Sequence, residues 1–243
     1  MAEEPMITVV VPTYNLGRFF ADSAESLLKQ DYSNFEVFLI DDASTDGTAK
    51  AVDAVAARDP RFKAVHFPQH EGVSVARNYG IDHAAGDFVT FVDGDDQVKP
   101  AFLSTLVAGF AQGPADVVTV GYTWGRWFES HSGHQGWQAV SKRAMFDAVR
   151  ARGDEIGGYV WNKAFRVSML RDKHIRYDES LTLAEDLLFT TEAVVAGEGF
   201  WFNPAVLYEK INRPGSTIHS ATMAMRQKEQ AVRRQMDALG AKI

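Results

Sequence analysis

The chain has 243 residues and no cysteine, so disulfides and thiolate chemistry are excluded and any metal must sit on oxygen or imidazole. A formal net charge of −7 argues against a nucleic-acid binder driven by bulk charge, but not against a small anionic ligand held by local groups. Hydrophobic residues make up 46% of the chain, enough for a full core, and no run of about 18 apolar residues exists to cross a membrane.

In chain order, "ITVVVP" (7–12) predicts a buried strand and "RFFADSAESLLKQ" (18–30) a helix, with Phe19, Phe20, Ala24, Leu27 and Leu28 at helical spacing. "FEVFLIDDAS" (35–44) is a second buried strand that ends in Asp41 and Asp42. A helix follows that stops before Pro60, then a short strand at 62–67 and a helix closed by Gly86. "DFVTFVD" (87–93) is the fourth strand, and it runs straight into Asp93, Asp95 and Asp96. Further on, 101–110 reads as helix, 115–120 as strand, 121–138 as a loop or hairpin insertion, 184–197 as helix, 205–211 as strand and 221–240 as a polar helix.

Strand–helix alternation over the first 95 residues predicts a parallel sheet, whose ligands bind beyond the carboxyl ends of the strands. Both acidic clusters fall there. Taken alone, an Asp-x-Asp is more often a solvated turn than a site. An EF-hand is excluded because loop positions 6 and 12, counted from Asp93, hold Val98 and Ser104. A dinucleotide-binding loop is excluded because "PTYNLGRF" follows the first strand. Two carboxylates so placed can hold Mg²⁺ or Mn²⁺ bridged to a substrate phosphate, and such a cation would offset their mutual repulsion.

"VVVPTYN", "LLKQDYSNFEVFLIDDASTDGT", "EGVSVARNYGIDHAAGDFVTFVDGDD" and "AEDLLF" together resemble the family 2 glycosyltransferases, in the family's order, from about residue 6 to about 220. The resemblance implies an α/β GT-A fold: a Rossmann-like parallel nucleotide-binding half within a mixed central sheet flanked by helices. It also implies an inverting, Mn²⁺- or Mg²⁺-dependent transfer from a nucleotide-sugar, expected to be UDP-linked, to an acceptor hydroxyl. Pro12, Thr13 and Tyr14 would line the base, and Asp42 would accept from the uracil N–H while Asp41 supports the loop. Arg77 would face the nucleotide-sugar. Asp93 would lie near the ribose and Asp95 would hold the metal, with Asp96 and His219 as further ligands and Arg213 on the phosphates. Asp186 would be the general base, and Glu185 would orient it or touch the acceptor. In isolation, acids in a helix's first turn only favour the macrodipole. Lys163 is a candidate for acceptor binding or for structure, and Trp124, Trp127, Trp137, His131 and His134, in the variable segment, are candidates for the acceptor or for core.

The expected organisation is one catalytic domain over 1–220, with a nucleotide-binding half (1–97) and an acceptor-binding half (98–220), and a helical tail over 221–243. The family commonly builds polysaccharides, wall polymers and glycolipids. A glycan, wall-polymer or lipid-linked acceptor is therefore implied, with no nucleic-acid partner. The N-terminal residues lack the basic segment of a signal peptide, so a cytoplasmic protein is expected, with any membrane attachment peripheral and at the inner face. The alternatives are a sugar-nucleotide pyrophosphorylase of the same fold, which would carry a Gly- and Arg-rich loop after the first strand, and a non-catalytic sugar- or partner-binding domain.

Overall fold

The computed structural model of the chain describes residues 4–125, 128–129 (backbone only), 135–151, 153–213 and 222–243. The first half alternates as the sequence predicts: β1 (Ile7–Thr13), α1 (Phe19–Leu28), β2 (Phe35–Asp41), α2 (Thr48–Ala56), β3 (Phe62–His66), α3 (Val73–His83) and β4 (Phe88–Phe91). Then come β5 (Gln97–Val98), α4 (Phe102–Phe110), β6 (Val117–Trp124), β7 (Phe128–Glu129), β8 (Gln138–Ala139), α5 (Lys142–Arg150), β9 (Lys163–Arg166), α6 (Val167–Asp172), α7 (Glu185–Ala196), β10 (Phe200–Lys210) and α8 (Met223–Gly240).

The strands form one 10-stranded sheet in the order β3-β2-β1-β4-β9-β6-β10-β5, with β7 on β6 and β8 on β10. β1, β2, β3 and β4 are mutually parallel, whereas β9 enters antiparallel between β4 and β6 and makes the sheet mixed. Alternate residues of the central strands feed two cores. Val10, Phe38, Ile40 and Phe91 meet α3, α5, α7 and α8 on one face. Val9, Val11, Val37 and Leu39 meet α1, α2 and α4 on the other. This is the strand period of two with both faces covered, and each fully buried Val or Leu stabilises the fold by roughly 1.5–3 kcal/mol.

Three departures from the sequence pattern matter. β6 runs on to Trp124 and pairs antiparallel with β7, so the start of the irregular segment is a hairpin. α5, β9 and α6 were not predicted. α5 is started by Ser141, whose hydroxyl accepts from the Ala144 N–H (3.2 Å), and it buries Met145, Phe146 and Val149. β10 begins at Phe200, and its register against β6 shifts twice, between Asn203 and Val206 and between Val206 and Tyr208. Gly121 sits opposite the first shift, where a Cβ would lie 2.4 Å from the Pro204 carbonyl oxygen. α8 buries Val232 and Met236 in the same core as α5 and α7. No helix among the described residues is long and apolar enough to cross a membrane.

Candidate active site

The carboxyl ends of β1, β2 and β4 lie side by side, so Thr13, the pair Asp41–Asp42 and the turn after β4 share one edge. That turn closes through Asp96 N–H to the Asp93 carbonyl (2.9 Å). Gly94 is required in it, because a Cβ there would lie 2.6 Å from Leu16 Cδ1 and 3.0 Å from the Pro12 carbonyl oxygen. β5 then pairs antiparallel with Tyr208 and Glu209 of β10 and draws the end of that strand over the acids.

The three carboxylates meet protein donors. Lys210 Nζ donates to Asp93 Oδ2 (2.9 Å) and Asp96 Oδ2 (3.0 Å). Asp96 is fully buried and also accepts from the Tyr208 hydroxyl (2.6 Å) and the Ile211 N–H (2.8 Å). Asp95 Oδ2 accepts from Arg213 Nε. The carboxylate repulsion is thus offset within the chain by Lys210 and Arg213 together with Arg77, and not solely by a divalent cation as the sequence suggests. Burial opposes the charge of Asp93, yet Lys210 and Arg77 outweigh it and hold its pKa well below the usual carboxylate range. Burial likewise opposes the charge of Lys210, but Asp93, Asp96 and Asp95 hold its pKa above the ordinary lysine value.

Arg77 connects this turn to α7. Its side chain is 3% exposed; Nη2 donates to Asp93 Oδ1 (2.9 Å), and Nη1 donates to Glu185 Oε1 (3.2 Å) and to Asp186 Oδ1. The α7 acids therefore face Arg77. Ala184, the residue before them, is held at φ +66°, a left-handed conformation costly for a residue with a Cβ. Asn78 fixes the other side by exchanging hydrogen bonds with Tyr177, whose N–H donates to Asn78 Oδ1 (2.9 Å). The Tyr177 ring lies 5.3 Å from the Arg77 guanidinium carbon.

At the end of β2, Asp42 is buried and accepts from the Glu71 N–H (2.7 Å) and the Gly72 N–H (2.8 Å), and His70 Nδ1 lies 2.8 Å from its Oδ2. The His70 ring stacks on Tyr14 at 4.0 Å between centroids. Tyr14 is 41% exposed, so its free face is available to a flat ligand. Thr13 is buried and its hydroxyl donates to the Ile40 carbonyl (3.2 Å), which makes it a strut of this edge. Asp41 accepts from the Ser44 N–H (3.3 Å), while its Oδ1 is buried without a hydrogen-bond partner. His70, Tyr208 and Lys210 carry this site and were not singled out from the sequence.

A family model described as glycosyl transferase family 2 matches residues 8–173. The chain belongs to glycosyl transferase family 2. Glycosyltransferase GlyG of Streptococcus pneumoniae serotype 4 is 40% identical over 117 residues, which are 48% of this family 2 chain and 39% of GlyG. The uncharacterized glycosyltransferase EpsJ of Bacillus subtilis is 29% identical over 198 residues, 78% of this chain and 56% of EpsJ. The chain thus spans less than two thirds of either relative. Among solved structures, S. aureus TarS 1–349 in complex with UDP-GlcNAc matches 98% of this chain and 71% of its own, with a TM-score of 0.80 at 24% identity. The mannosyltransferase PcManGT from Pyrobaculum calidifontis, in complex with GDP-Man and Mn²⁺, matches 96% of this chain and 64% of its own, with a TM-score of 0.69 at 21% identity. These two likenesses establish the GT-A fold.

The donor set of this family 2 chain fits a hard divalent cation. Asp93, Asp95 and Asp96 each offer a carboxylate oxygen, and these oxygens lie within 4.8 Å of one another. Among the described residues, Asp95 Oδ1 is the oxygen of the cluster that carries no hydrogen bond, so Asp95 would be the first ligand. His219, Trp127, His131 and His134 lie outside the described residues.

Of the acceptor candidates, Lys163 and Trp137 are engaged within the protein. Lys163 is fully buried, and its Nζ lies 2.7–2.9 Å from the carbonyls of Ile156, Gly157 and Tyr159 and from Asn162 Oδ1. Burial draws its pKa down to about 7, but the four oxygens oppose that, since a neutral amine has only two N–H donors for them. Lys163 therefore braces the 156–159 loop. Lys163→Met should lower stability by at least roughly 1–3 kcal/mol, leaving UDP affinity of the folded protein unchanged. Full stability with lost turnover in the same variant would restore the acceptor role. Trp137 packs against Gly109 of α4, and the adjoining β8 pairs with the start of β10, at the opposite end from Lys210. Trp124 does lie at the site end: it pairs in register with Lys210 and meets Tyr159 edge to face at 5.5 Å.

Proposed function

We propose that this chain is the catalytic domain of an inverting glycosyltransferase that moves a sugar from a UDP-linked donor to a glycan, wall-polymer or lipid-linked hydroxyl. The observation that carries this reading is Arg77, whose single guanidinium joins Asp93 of the strand-end cluster to Glu185 and Asp186 of α7. A donor laid along the strand ends therefore has its anomeric carbon within reach of a carboxylate on the far side of that arginine. The complex of a structural neighbour with UDP-GlcNAc supports the choice of donor.

In this mechanism the base stacks on Tyr14 and donates to the remaining lone pair of Asp42, beside His70. Asp93 and Asp95 face the ribose and the diphosphate. A divalent cation on Asp95, when bound, offsets the charge that develops on the leaving diphosphate. Asp186 takes the proton of the acceptor hydroxyl as its oxygen attacks the anomeric carbon from the side opposite the diphosphate. The new glycosidic bond forms as the bond to phosphate breaks, the configuration inverts and UDP leaves. Glu185 shares Arg77 with Asp186 and holds the base in place. Trp124, at the same end of the sheet, offers an apolar face to the acceptor.

Asp95→Ala should abolish Mn²⁺-dependent UDP binding, and Asp95→Asn should keep the fold and lose most activity. Calorimetry with UDP and Mn²⁺ checks this, and unchanged affinity in both variants removes Asp95 from the metal site. Release of pyrophosphate in place of UDP during turnover would identify the pyrophosphorylase chemistry instead.

A further inference from the structure

The cations around the acidic turn are not equally fixed. Arg77 is buried under α7 and holds three carboxylates. Lys210 stands on β10, in register with Trp124, and bridges Asp93 to Asp96. Arg213 lies beyond the end of that strand, its side chain 20% exposed, and its recorded side-chain partner is Asp95. It is therefore the cation of this cluster that can leave without disturbing the sheet. Among the described residues it also sits on the one carboxylate of the cluster whose other oxygen carries no hydrogen bond. A divalent ion and a guanidinium on the same carboxylate repel one another twice as strongly as two unit charges at that separation.

We propose that Arg213 and the divalent cation are alternative partners of Asp95, and that the donor diphosphate drives the exchange by drawing the guanidinium from the carboxylate onto its own oxygens. Arg213 then compensates the charge of Asp95 while the site is empty and becomes a phosphate ligand once it is loaded. The chemistry suits both positions, since guanidinium binds carboxylate and phosphate oxygens with the same planar fork. Lys210 and Arg77 keep Asp93 and Asp96 compensated in either state, so the metal relies on Asp95 and on the diphosphate. Metal and nucleotide therefore bind with positive coupling, each raising the affinity of the other by the same factor. This inference rests on the nucleotide-sugar reading of the site.

The test is Mn²⁺ titration of the full chain, by calorimetry or by the electron paramagnetic resonance of free Mn²⁺, with and without UDP. The proteins compared are the parent, Arg213→Gln, and Arg226→Gln as a control that removes the same charge from the exposed face of α8. Without UDP, Arg213→Gln should bind Mn²⁺ on the order of tenfold more tightly than the parent, and the gain in Mn²⁺ affinity on adding UDP should shrink correspondingly. Arg226→Gln should match the parent. Equal or weaker Mn²⁺ affinity in Arg213→Gln, or an equal gain in Arg226→Gln, overturns the exchange. If the parent then still binds Mn²⁺ in the presence of UDP, only the exchange has failed. Absence of Mn²⁺ binding in the parent even with UDP overturns the metal and nucleotide reading together with it. Thermal melts of both variants confirm that folded protein is being titrated.

Discussion

Arg77→Gln should destabilise the protein by about 3–5 kcal/mol and abolish turnover. Glutamine keeps much of the side-chain length but leaves Asp93, Glu185 and Asp186 without the cation they share. Asp93 retains Lys210, so the uncompensated charge falls mainly on the α7 pair. Arg77→Lys should recover part of the stability, because one ammonium can neutralise the charge but cannot span both sides as the planar fork does. The loss in Arg77→Gln should also shrink as pH falls, since protons can replace the missing cation on the orphaned carboxylates. Urea unfolding of the three proteins at neutral and mildly acidic pH measures all of this. Coincident unfolding curves for parent and Arg77→Gln would mean that the guanidinium holds nothing together.

Asp186→Asn should cut transfer by roughly 10²–10⁴-fold while leaving UDP affinity near that of the parent. The amide keeps the shape of the carboxylate but is too weak a base to take the acceptor proton. Burial pushes the Asp186 pKa up to about 7, with Arg77 opposing and Glu185 and Asp93 adding to the rise. A base must be ionised, so parent turnover should climb with pH through about 7 and level off above it. The stability effect has the opposite sense. The folded pKa lies above the ordinary value of 3.8, so the folded state holds the proton more tightly. That contribution to stability is present below 3.8 and is lost as pH rises to about 7. Asp186→Asn lacks this term, so its stability relative to the parent should improve across that window. Turnover on a true acceptor, donor Kd and the pH dependence of melting are read on one variant. Near-parental turnover by folded Asp186→Asn would transfer the role to Glu185 or another acid.

Much of the fold was legible because the first half repeats a simple grammar. Apolar runs such as "ITVVVP" and "FEVFLI" are buried strands, and the acids that end the second, Asp41 and Asp42, lie at the carboxyl edge of the sheet. The acids at 41–42 and 93–96 were legible for that reason as strand-end clusters, whereas Arg77 and Asp186, which lie on helices, were singled out only by the order of the family motifs. Short elements were less legible. β9 has four residues and carries a lysine, which a hydropathy pattern assigns to the surface, although Lys163 is fully buried on backbone carbonyls. α5 could have been found from Ser141 followed by Met145, Phe146 and Val149 at helical spacing. Spacing makes Asp96 look like a metal ligand beside Asp95, yet Tyr208, Lys210 and Ile211 N–H occupy its oxygens. No local pattern reports that, because those partners lie more than a hundred residues along the chain and arrive only through the pairing of β10 with β5.

The irregular stretch of β10 ties the charge of the site to a residue count. Tyr208 and Lys210 are two apart and reach the same acidic turn, whereas Glu209 between them pairs with Lys99. The shifts between Asn203 and Tyr208 set which of these side chains points at the acids. One residue inserted there, with the start of the strand still zipped to β6, would carry Glu209 into the position of Lys210. A fourth carboxylate would then face Asp93 and Asp96 where an ammonium now stands. The stretch from Pro204 to Leu207 therefore tolerates a change of identity more readily than a one-residue insertion, which reverses the sign of the charge facing Asp93 and Asp96.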